Sequence, residues 1–574
     1  MSKRVVVDPI TRIEGHLRIE VVVDDNNVVQ EAYSGSTLWR GIETILRGRD
    51  PRDAGFMTQR ICGVCTFSHY KAGIVAVENA LGITPPLNAL LTRTLMSNAL
   101  FLHDHIVHFY HLHALDWVDI VSALSADPKA ASQEAFKFCD YPFACGEDQL
   151  KLVQDRVKKF VEKGNLGPFA NAYYGHPTYH LTPEQNLIAL SHYLECLRIQ
   201  RVAAQAMAIF GGKNPHPQSL TVGGVTCVMD ILNPSRLGEY MVKFQEVADF
   251  VNRAYYPDLL MAGGAYAKEP SVLGDVGVAN LFTYKEFQYS ANEFLFDSGI
   301  VLNGDLSKIH DIDESKITEE ATHSWYKNDA PLHPYDGEQE PNYTGFVDGE
   351  NIDGKGEVVT TKVFDTKGKY SWIKAPRYNG MPMQVGPLAN IVVNFAKGNK
   401  FVVPVVEKFL KDTGLPLEAV LSTLGRTATR MIEAKVIADN GLLAFNNLIA
   451  NIKSGDTQTC AKYFIDKDKE YRGRYMGHVP RGVLSHWCRI KNGVIENWQA
   501  VVPSTWNASP KDSKGQMATY EACLVGMKIA DLKQPLEIIR KIHSYDPCIA
   551  CAVHVMDTKG NDISEYKINP NIVC

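Results

Sequence analysis

The sequence has no long hydrophobic run, no excess of positive charge and only 12 cysteines among 574 residues. No uniformly apolar stretch reaches about 18 residues, so we predict no segment that spans a bilayer by itself. Lys and Arg number 59 against 65 Asp and Glu, and this balance argues against nucleic acid as the main partner. A composition of 45% hydrophobic and 22% charged residues excludes wholesale disorder.

The first residues, Met1 to Val5, do not resemble a secretory signal, because they lead into neither an apolar core nor a small-residue cleavage site. They lead directly into strand-like sequence instead. If the protein leaves the cytoplasm, we therefore expect a partner to carry it.

The periodicity of hydrophobic residues predicts a mainly α (α+β) fold, one large domain with a helical core. Strands are indicated at 5–7, 17–23 and 28–33, which predicts a small N-terminal β-sheet. Helical periodicity runs from about 86 to 124 and returns near 148–163, 183–210, 233–254, 387–412, 416–452 and 515–541. The stretch around 300–372 is polar and rich in turns, and we interpret it as a surface insertion with short strands in the helical body. Repeats and linkers are absent from the sequence, so we expect no division into smaller domains.

Cysteines separate into two groups. Eight have no neighbour at C-x-x-C spacing: Cys139, Cys145, Cys196, Cys227, Cys460, Cys488, Cys523 and Cys574. We expect most of these eight to be ordinary small buried side chains. The other four form two C-x-x-C pairs, Cys62 with Cys65 and Cys548 with Cys551. Each pair is followed closely by a histidine, which makes the pattern stronger than a single C-x-x-C.

The distance between the two pairs limits what they can form. Cys65 and Cys548 are 548 − 65 = 483 positions apart, whereas the pairs of a zinc ribbon are about 15–20 residues apart. Four thiolates drawn from distant parts of the chain would meet inside the finished domain, where a metal must neutralise them. A buried redox metal, a long-range structural zinc and unrelated reduced thiols all remain open on spacing alone.

The segments 60–69 and 546–554 resemble the two signature motifs of the large subunit of nickel–iron hydrogenases. Five further blocks match the same family in the same order: 8–16 (DPITRIEGH), 40–43 (RGIE), 211–217 (GGKNPHP), 480–482 (PRG) and 502–507 (VPSTWN). The blocks extend over essentially the whole chain. The family most resembled is the membrane-associated uptake type.

The resemblance implies a nickel ion bound by four cysteines and an iron that carries carbon monoxide and cyanide. Cys62 and Cys548 would be terminal ligands of nickel, while Cys65 and Cys551 would bridge nickel and iron. The implied activity is reversible heterolytic cleavage of H2 to protons and electrons. A terminal thiolate can accept the proton, so Cys548 would be the first base and Glu14 would pass the proton outward.

The resemblance also implies roles for residues around the metals. Arg481 would lie over the open metal position as an electrostatic group, since arginine rarely gives up its proton, and a role as the base stays open. His69, Asp104, Pro480, Ser504 and Asp546 would form the surrounding shell, with Ser504 hydrogen-bonded to a cyanide. His216 would face the nearest cluster of the partner. Glu43, the backbone carbonyl of Ala500 and His554 would hold magnesium or a similar divalent ion.

The chain has no further cysteine cluster for an electron relay, so the resemblance implies a heterodimer with an iron–sulfur small subunit. In the family that subunit often carries a twin-arginine signal and exports both chains to the periplasmic side of the cytoplasmic membrane. A cytochrome b-type membrane subunit, nickel-insertion proteins and a maturation protease are further implied partners. The protease would cut after His554, so that 1–554 is the mature domain and 555–574 is removed.

Other interpretations compete with these. Glu14 could be a surface carboxylate paired with Arg12 or Arg18, and Arg481 an ordinary surface charge. Five histidines crowd one predicted helix, and we interpret them as a hydrogen-bonded polar seam rather than as ligands: His103, His105, His108, His111 and His113. For the whole chain, the alternatives are a hydrogen-sensing hydrogenase, a structural zinc protein and the related quinone-reductase subunit, which lacks the four cysteines.

Overall fold

A computed structural model describes residues 3–164, 166–170, 172–274 and 277–549. About 45% of the chain is helical and 18% is in strands, so the prediction of a mixed, mainly helical chain is confirmed at that level. The main hydrophobic core lies among the long helices, and a second one lies between the N-terminal sheet and the C-terminal segment.

The α-helices follow in this order: α1 Ile42–Leu46, α2 Ala54–Thr58, α3 Thr66–Leu81, α4 Leu87–Val107, α5 Pro128–Phe138, α6 Glu147–Glu162, α7 Pro183–Gly211, α8 Val228–Ile231, α9 Pro234–Phe250, α10 Tyr256–Tyr266, α11 Pro387–Ala396, α12 Val403–Thr413, α13 Thr423–Asn440, α14 Leu442–Lys453, α15 Pro503–Ala508, α16 Thr519–Ala522 and α17 Leu536–His543. Two π-helical segments, His108–His113 and Val251–Tyr255, continue α4 and join α9 to α10.

The β-strands are as follows: β1 Lys3–Val7, β2 Leu17–Val23, β3 Val29–Ser36, β4 Leu220–Thr221, β5 Gly224–Val225, β6 Leu281–Thr283, β7 Glu286–Gln288, β8 Phe294–Phe296, β9 Gly299–Val301, β10 Ile317–Glu320, β11 Val347–Ile352, β12 Val358–Val363, β13 Ala375–Tyr378, β14 Tyr471–Val479, β15 Gly482–Lys491 and β16 Val494–Val501. Most form short antiparallel pairs, and two larger sheets stand out among the described residues.

The two longest helices show why the core is helical. In α7 the side chain of Thr182 accepts from the amide of Gln185, whose own side chain accepts from the Thr182 amide, and Pro183 opens the first turn. The helix ends at Gly212, which has a φ of 77°. In α4 nearly every residue from Leu91 to Leu102 is buried, so this helix lies inside the core rather than on it.

The N-terminal sheet is larger than predicted. Its strand order is β12-β11-β1-β2-β3, with β1 antiparallel to β2 and parallel to β11. Val5 is opposite Ile352, so the turn-rich stretch around 300–372 contributes two strands to the sheet. The predicted surface insertion with short strands therefore includes β11 and β12, two six-residue strands whose side chains are mostly exposed or half-buried. A pairing between residues so far apart leaves no local pattern in the sequence.

The C-terminal part differs from the prediction in two places. Strands β14, β15 and β16 form an antiparallel sheet that the sequence analysis did not predict. The predicted helix at 515–541 contains only the short helices α16 and α17. Gly515, with a φ of 74°, lies before α16, and Gly526, with a φ of 83°, lies with Pro535 between α16 and α17. The helical spacing of apolar residues in this segment therefore belongs to two separate short helices and not to one long helix.

The fold brings distant segments of the chain to one place. The C-x-x-C loop at 62–65 leads into α3, the turn between β14 and β15 carries residues 480 and 481, and the segment after α17 carries residues 546–548. Across residues 3–549, apart from the few undescribed positions, none of the helices has the length and hydropathy needed to cross a membrane.

Candidate metal centre

Three of the four predicted cysteine ligands meet in the structure. The sulfur of Cys548 lies 3.3 Å from that of Cys62 and 3.9 Å from that of Cys65. All three side chains are buried. The amides of Val64 and Cys65 both donate to Cys62 Sγ at 3.2 Å, which fixes the loop before α3. The fourth predicted ligand, Cys551, lies outside the described residues.

These three sulfurs suit a soft metal ion. Two sulfurs bound to one metal at about 2.3 Å in tetrahedral geometry lie about 3.7 Å apart, close to the spacing seen here. Ligand atoms of Cys62, Cys65 and Cys548 all lie within 4.8 Å of one another. Thiolates brought this close together repel one another, and a bound cation relieves that repulsion. The donor set therefore fits the predicted nickel site.

Glu14 is joined to Cys548 by both its backbone and its side chain. The amide of Glu14 donates to Pro547 O at 3.3 Å, and the amide of Ile549 donates to Glu14 O at 2.7 Å. The thiol of Cys548 donates to Glu14 Oε2 over 3.4 Å. Gly15, with a φ of 90°, turns the chain away from the site after this contact.

The alternative partners proposed for Glu14 pair with other residues. Arg12 contacts Asp116 at 2.5 Å. Arg18 contacts Asp8 at 2.8 Å and Glu20 at 2.7 Å. The carboxylate of Glu14 contacts the thiol of Cys548.

Arg481 is buried between two carboxylates beside the cysteines. Its Nη1 lies 2.7 Å from Asp104 Oδ2 and its Nη2 lies 3.1 Å from Asp546 Oδ2. Burial alone would lower the pKa of Arg481, but Asp546 and Asp104 raise it well above the usual value. The guanidinium is therefore a permanent positive charge with a fixed orientation.

Arg430 is a site residue that the sequence analysis missed. It is buried on α13, donates to Pro480 O at 2.9 Å and lies 3.5 Å from Asp546 Oδ2. It thus positions both the turn that carries Arg481 and the carboxylate that pairs with Arg481. No motif surrounds it, and an arginine within a helix looks like a surface residue in the sequence.

A small cavity lies against this group. Its lining includes, among the described residues, Cys65, His69, Val479, Pro480, Arg481, Pro503, Ser504 and Cys548. Ser504 Oγ accepts from the amide of Cys548 at 3.0 Å. The hydroxyl therefore helps to hold the cysteine that also contacts Glu14.

His69 is buried on α3 and pairs with a second histidine that was not predicted. Its Nδ1 lies 3.0 Å from Nε2 of His486, on β15. Burial lowers the pKa of His69 to about 4, so both rings are neutral at pH 7. A neutral pair can share one hydrogen between these two nitrogens.

The predicted magnesium ligands are brought together only in part. Glu43 Oε1 accepts from the amide of Ala500 at 2.6 Å, and burial raises the pKa of this carboxyl. The third predicted ligand, His554, lies outside the described residues.

His216 lies in the loop after α7, with a φ of 58°. It is half-buried and near the segment that leads to Cys62, where burial and Arg60 lower its pKa. The imidazole of His216 therefore lies near residues 59 and 60, just before the first C-x-x-C pair.

The histidines of α4 and its π-helical continuation have hydrogen-bond partners in the core. His105 contacts Glu433 at 3.1 Å, His108 contacts the carbonyl of His543 at 2.7 Å, and His111 contacts the carbonyl of Tyr193 at 3.1 Å. His113 lies between Asp116 and Thr427. This agrees with a polar seam through a helical core.

Known proteins match this chain over nearly its whole length. The profile of the family described as "Nickel-dependent hydrogenase" matches residues 40–554. The quinone-reactive Ni/Fe-hydrogenase large chain of Wolinella succinogenes is 67% identical over 99% of both chains. The uptake hydrogenase large subunit of Rhizobium leguminosarum bv. viciae is 46% identical over 99% of this chain and 98% of that one.

Solved structures show the same fold. A variant of the [NiFeSe] hydrogenase from Desulfovibrio vulgaris Hildenborough is 32% identical, with a TM-score of 0.77. The match covers 96% of this chain and 100% of that one.

The chain belongs to the nickel-dependent hydrogenase family. It is an oxidoreductase that acts on hydrogen, with a nickel–iron active site. Along its length it corresponds to the large subunit of uptake hydrogenases, which oxidise H2, and a large subunit works with a small-subunit partner. The resemblance stated from the motifs is confirmed.

Proposed function

We propose that the residues gathered around Cys548 perform the acid–base part of H2 oxidation and that the electrons reach quinone through the small subunit. The observation that carries this proposal is the contact between Cys548 Sγ and Glu14 Oε2 at 3.4 Å, in a group of buried sulfurs. It links the metal ligands to a group that can carry a proton.

Cys62, Cys65, Cys548 and Cys551 would hold nickel, with Cys65 and Cys551 shared with an iron that carries carbon monoxide and cyanide. When bound, the metals supply the electrophilic position at which H2 is cleaved heterolytically. The small cavity lined by Cys65, Arg481 and Cys548 supports this location.

The proton released from H2 would be held first at Cys548 Sγ. The thiol then donates it to Glu14 Oε2, which lies within reach without any rearrangement of the backbone. The backbone pairing of Glu14 with Pro547 and Ile549 supports this step, because it fixes the carboxylate relative to the thiol.

Arg481 would act by its charge rather than as a base. Asp104 and Asp546 hold its guanidinium in one orientation and keep it protonated. A fixed cation at the cavity favours negative charge that develops there during cleavage. The role of Asp104 and Asp546 is then to position Arg481, and that of Arg430 is to position Asp546 and Pro480.

Ser504 and His69 would complete the surroundings of the metals. Ser504 lines the cavity with Pro480 and could donate its hydroxyl hydrogen to a cyanide while its oxygen accepts from the Cys548 amide. His69 is held by His486 and would orient a bridging sulfur.

Electrons would leave through an iron–sulfur small subunit on the side of His216. The relative from Wolinella succinogenes is named quinone-reactive, which supports quinone as the final acceptor. Transfer to quinone implies a membrane partner of the cytochrome b type, and we place the complex on the periplasmic side of the cytoplasmic membrane. The small subunit would carry the export signal.

Maturation would remove residues 555–574 after His554, leaving residues 1–554 as the working domain. The family match ends at residue 554, which supports this boundary. In the mature chain Glu43, the Ala500 carbonyl and His554 would bind magnesium or a similar divalent ion. The contact of Glu43 with Ala500 supports the first two as neighbours. A maturation protease and nickel-insertion proteins are the partners that this route requires.

The test uses the purified complex of large and small subunits. Metal analysis should give one nickel per large subunit, infrared spectra should show bound carbon monoxide and cyanide, and H2 should reduce a soluble quinone analogue. Intact mass should end at His554. Active enzyme without nickel would overturn the site, and a full-length chain in active, nickel-loaded enzyme would overturn the maturation step.

A further inference from the structure

A second group of sulfur and nitrogen ligands is built from other helices than those of the nickel site. Cys139, Cys145 and His192 are buried, with exposures of 2%, 0% and 0%. Cys145 Sγ lies 3.5 Å from Cys139 Sγ and 3.3 Å from His192 Nε2. All three ligand atoms lie within 4.8 Å of one another. We call these three residues the α5–α7 cluster.

The α5–α7 cluster closes a loop onto a helix. Cys139 directly follows α5, Cys145 lies just before α6, and His192 is on α7. The two thiols come from the two ends of one short loop. His192 approaches them from the neighbouring helix, so the three donors converge from two directions.

His192 has the orientation of a metal ligand. Its Nδ1 lies 2.8 Å from both carboxylate oxygens of Asp258, and Asp258 Oδ2 also accepts from the hydroxyl of Tyr110 at 2.6 Å. A carboxylate only accepts, so the hydrogen of the neutral ring is on Nδ1 and the lone pair of Nε2 points at the sulfurs. Metal-binding histidines commonly give their other N–H to a carboxylate in this way.

A backbone carbonyl oxygen also lies beside the α5–α7 cluster. Cys139 Sγ lies 3.0 Å from the carbonyl oxygen of Arg253, in the π-helical segment before α10. The residue four positions later is Pro257, which has no amide hydrogen to give to that carbonyl. The Arg253 carbonyl thus accepts from the thiol of Cys139, and π-helical segments of this kind often accompany functional sites.

We propose that the α5–α7 cluster binds one Zn²⁺ ion, with Cys139 Sγ, Cys145 Sγ and His192 Nε2 as ligands. The Arg253 carbonyl or a water molecule supplies the fourth, oxygen ligand. Two thiolates with one imidazole form a donor set that zinc prefers. Each thiol loses its proton on binding, so the two negative charges balance the ion. Asp258 holds the ring hydrogen of His192 on Nδ1, which leaves Nε2 for the metal.

The structure of the α5–α7 cluster indicates a structural role for the ion. All three side chains are buried and join the loop after α5 to α7. The cluster uses none of the residues assigned to H2 oxidation, so this inference stands apart from the proposed function. The competing chemistry is a disulfide between Cys139 and Cys145, formed by two-electron oxidation.

The first test is metal analysis and zinc X-ray absorption of the holoenzyme, in a preparation with one nickel per large subunit. Full nickel occupancy ensures that zinc does not occupy the nickel site. We expect one zinc per large subunit, with two sulfur neighbours at about 2.3 Å and nitrogen or oxygen neighbours at about 2.0–2.1 Å. Zinc well below one per subunit, another metal in its place, or a Cys139–Cys145 disulfide in peptide mass spectra would each overturn the proposal.

The second test uses Cys145→Ser and His192→Gln, with Cys488→Ser as the matched control. Cys488 is also buried and lies on β15, where its thiol donates to the carbonyl of Ala76. Both cluster variants should lose at least about nine-tenths of the zinc while nickel stays bound, and the control should keep both metals. Zinc retained in both cluster variants would refute the ligand assignment. The absorption spectrum of the parent needs no variant, so it decides the question if these variants fail to fold.

Discussion

The two thiol clusters of this chain differ in how they are assembled. In the proposed nickel site the sulfurs of Cys62 and Cys548 are 486 positions apart in the chain and 3.3 Å apart in space. In the α5–α7 cluster the two sulfurs are six positions apart and 3.5 Å apart in space. The first arrangement requires the whole fold, whereas the second requires one loop and one helix. The long-range site therefore forms only when the whole domain is folded. The α5–α7 cluster, by contrast, can stabilise the loop and helix that contain it.

The histidines beside the two clusters differ as well. Burial lowers the pKa of His69 to about 4, and His486 next to it bears no charge that would oppose this. Burial also disfavours the charged form of His192, but Asp258 raises the pKa of its metal-free form to about 10. The two histidines beside the proposed nickel site, His69 and His486, are thus neutral. In the α5–α7 cluster, His192 and Asp258 form a buried ion pair unless a metal replaces the proton.

The largest difference between the clusters should appear when one cysteine of each is changed. Cys548→Ser should lose nickel and retain below about 1% of H2 oxidation, because a serine hydroxyl cannot replace a soft thiolate at neutral pH. Cys145→Ser should keep nickel and at least about half of the activity, since its cluster lies outside the reacting groups. Nickel content and H2 uptake measured side by side check both. Equal losses in the two variants would contradict the separation of the clusters.

Glu14→Gln tests the proton step at the nickel site without touching a metal ligand. Glutamine keeps the size of the side chain but cannot accept a proton, so we expect turnover to fall by about 10² to 10⁴. Nickel content and the infrared bands should stay as in the parent. Glu31→Gln, at an exposed carboxylate of β3, is the matched control. Turnover within about twofold of the parent would remove Glu14 from the main proton path.

Arg481→Lys should have a smaller effect than Glu14→Gln. Lysine keeps the positive charge but cannot reach Asp104 and Asp546 with two separate nitrogens in one plane. Loss of this orientation should lower turnover by about 10- to 100-fold, with nickel retained. Steady-state rates over a range of H2 concentrations measure the change. An unchanged rate would show that charge alone is sufficient.

The smallest expected effect concerns stability and pH. Burial lowers the pKa of His113 in the folded protein to about 4, below the ordinary value of 6.5. Its contribution to stability is therefore complete above pH 6.5 and is lost as the pH falls toward 4. From pH 7 to 5 the loss is on the order of 2 kcal/mol for such a histidine. Urea unfolding at pH 5, 6 and 7 should show a weaker dependence for His113→Gln than for the parent.

His192 in metal-depleted protein should give the opposite slope. Its folded pKa of about 10 lies above 6.5, so its contribution is complete below pH 6.5 and declines as the pH rises through 10. Unfolding at pH 7 and 9 after removal of zinc by a chelator measures this decline. With zinc bound, the dependence should disappear because the metal replaces the proton. The same slope with and without zinc would contradict the ligand role of His192.

Sequence motifs predicted which described residues of the proposed nickel site lie together, because these residues belong to short motifs. Cys62, Cys65, Cys548 and Glu14 each belong to such a motif, and the three sulfurs and the carboxylate meet in the structure. Arg430 has no motif, since its role depends on where α13 packs. His486 was also missed, because only the pairing of distant elements places it beside His69.

The α5–α7 cluster shows the opposite limit of sequence reasoning. Cys139 and Cys145 were expected to be ordinary buried thiols, and their five-residue separation matches no common metal motif. The signal that reveals them is the approach of His192 and Asp258 from two other helices. In the fold, likewise, long helices such as α7 were predictable from local pattern. The parallel pairing of β1 with β11 was not, because its partners lie more than 300 positions apart.

The backbone pairing of Glu14 with Pro547 and Ile549 has a consequence for the timing of assembly. The ribosome makes Glu14, Cys62 and Cys65 early and residues 547–549 near the end of translation. Until those last residues emerge, the early half of the site has no partner strand and no third sulfur. Metallation must therefore follow synthesis, and a nascent chain has to keep its first C-x-x-C pair reduced and unclaimed by other metals during that interval.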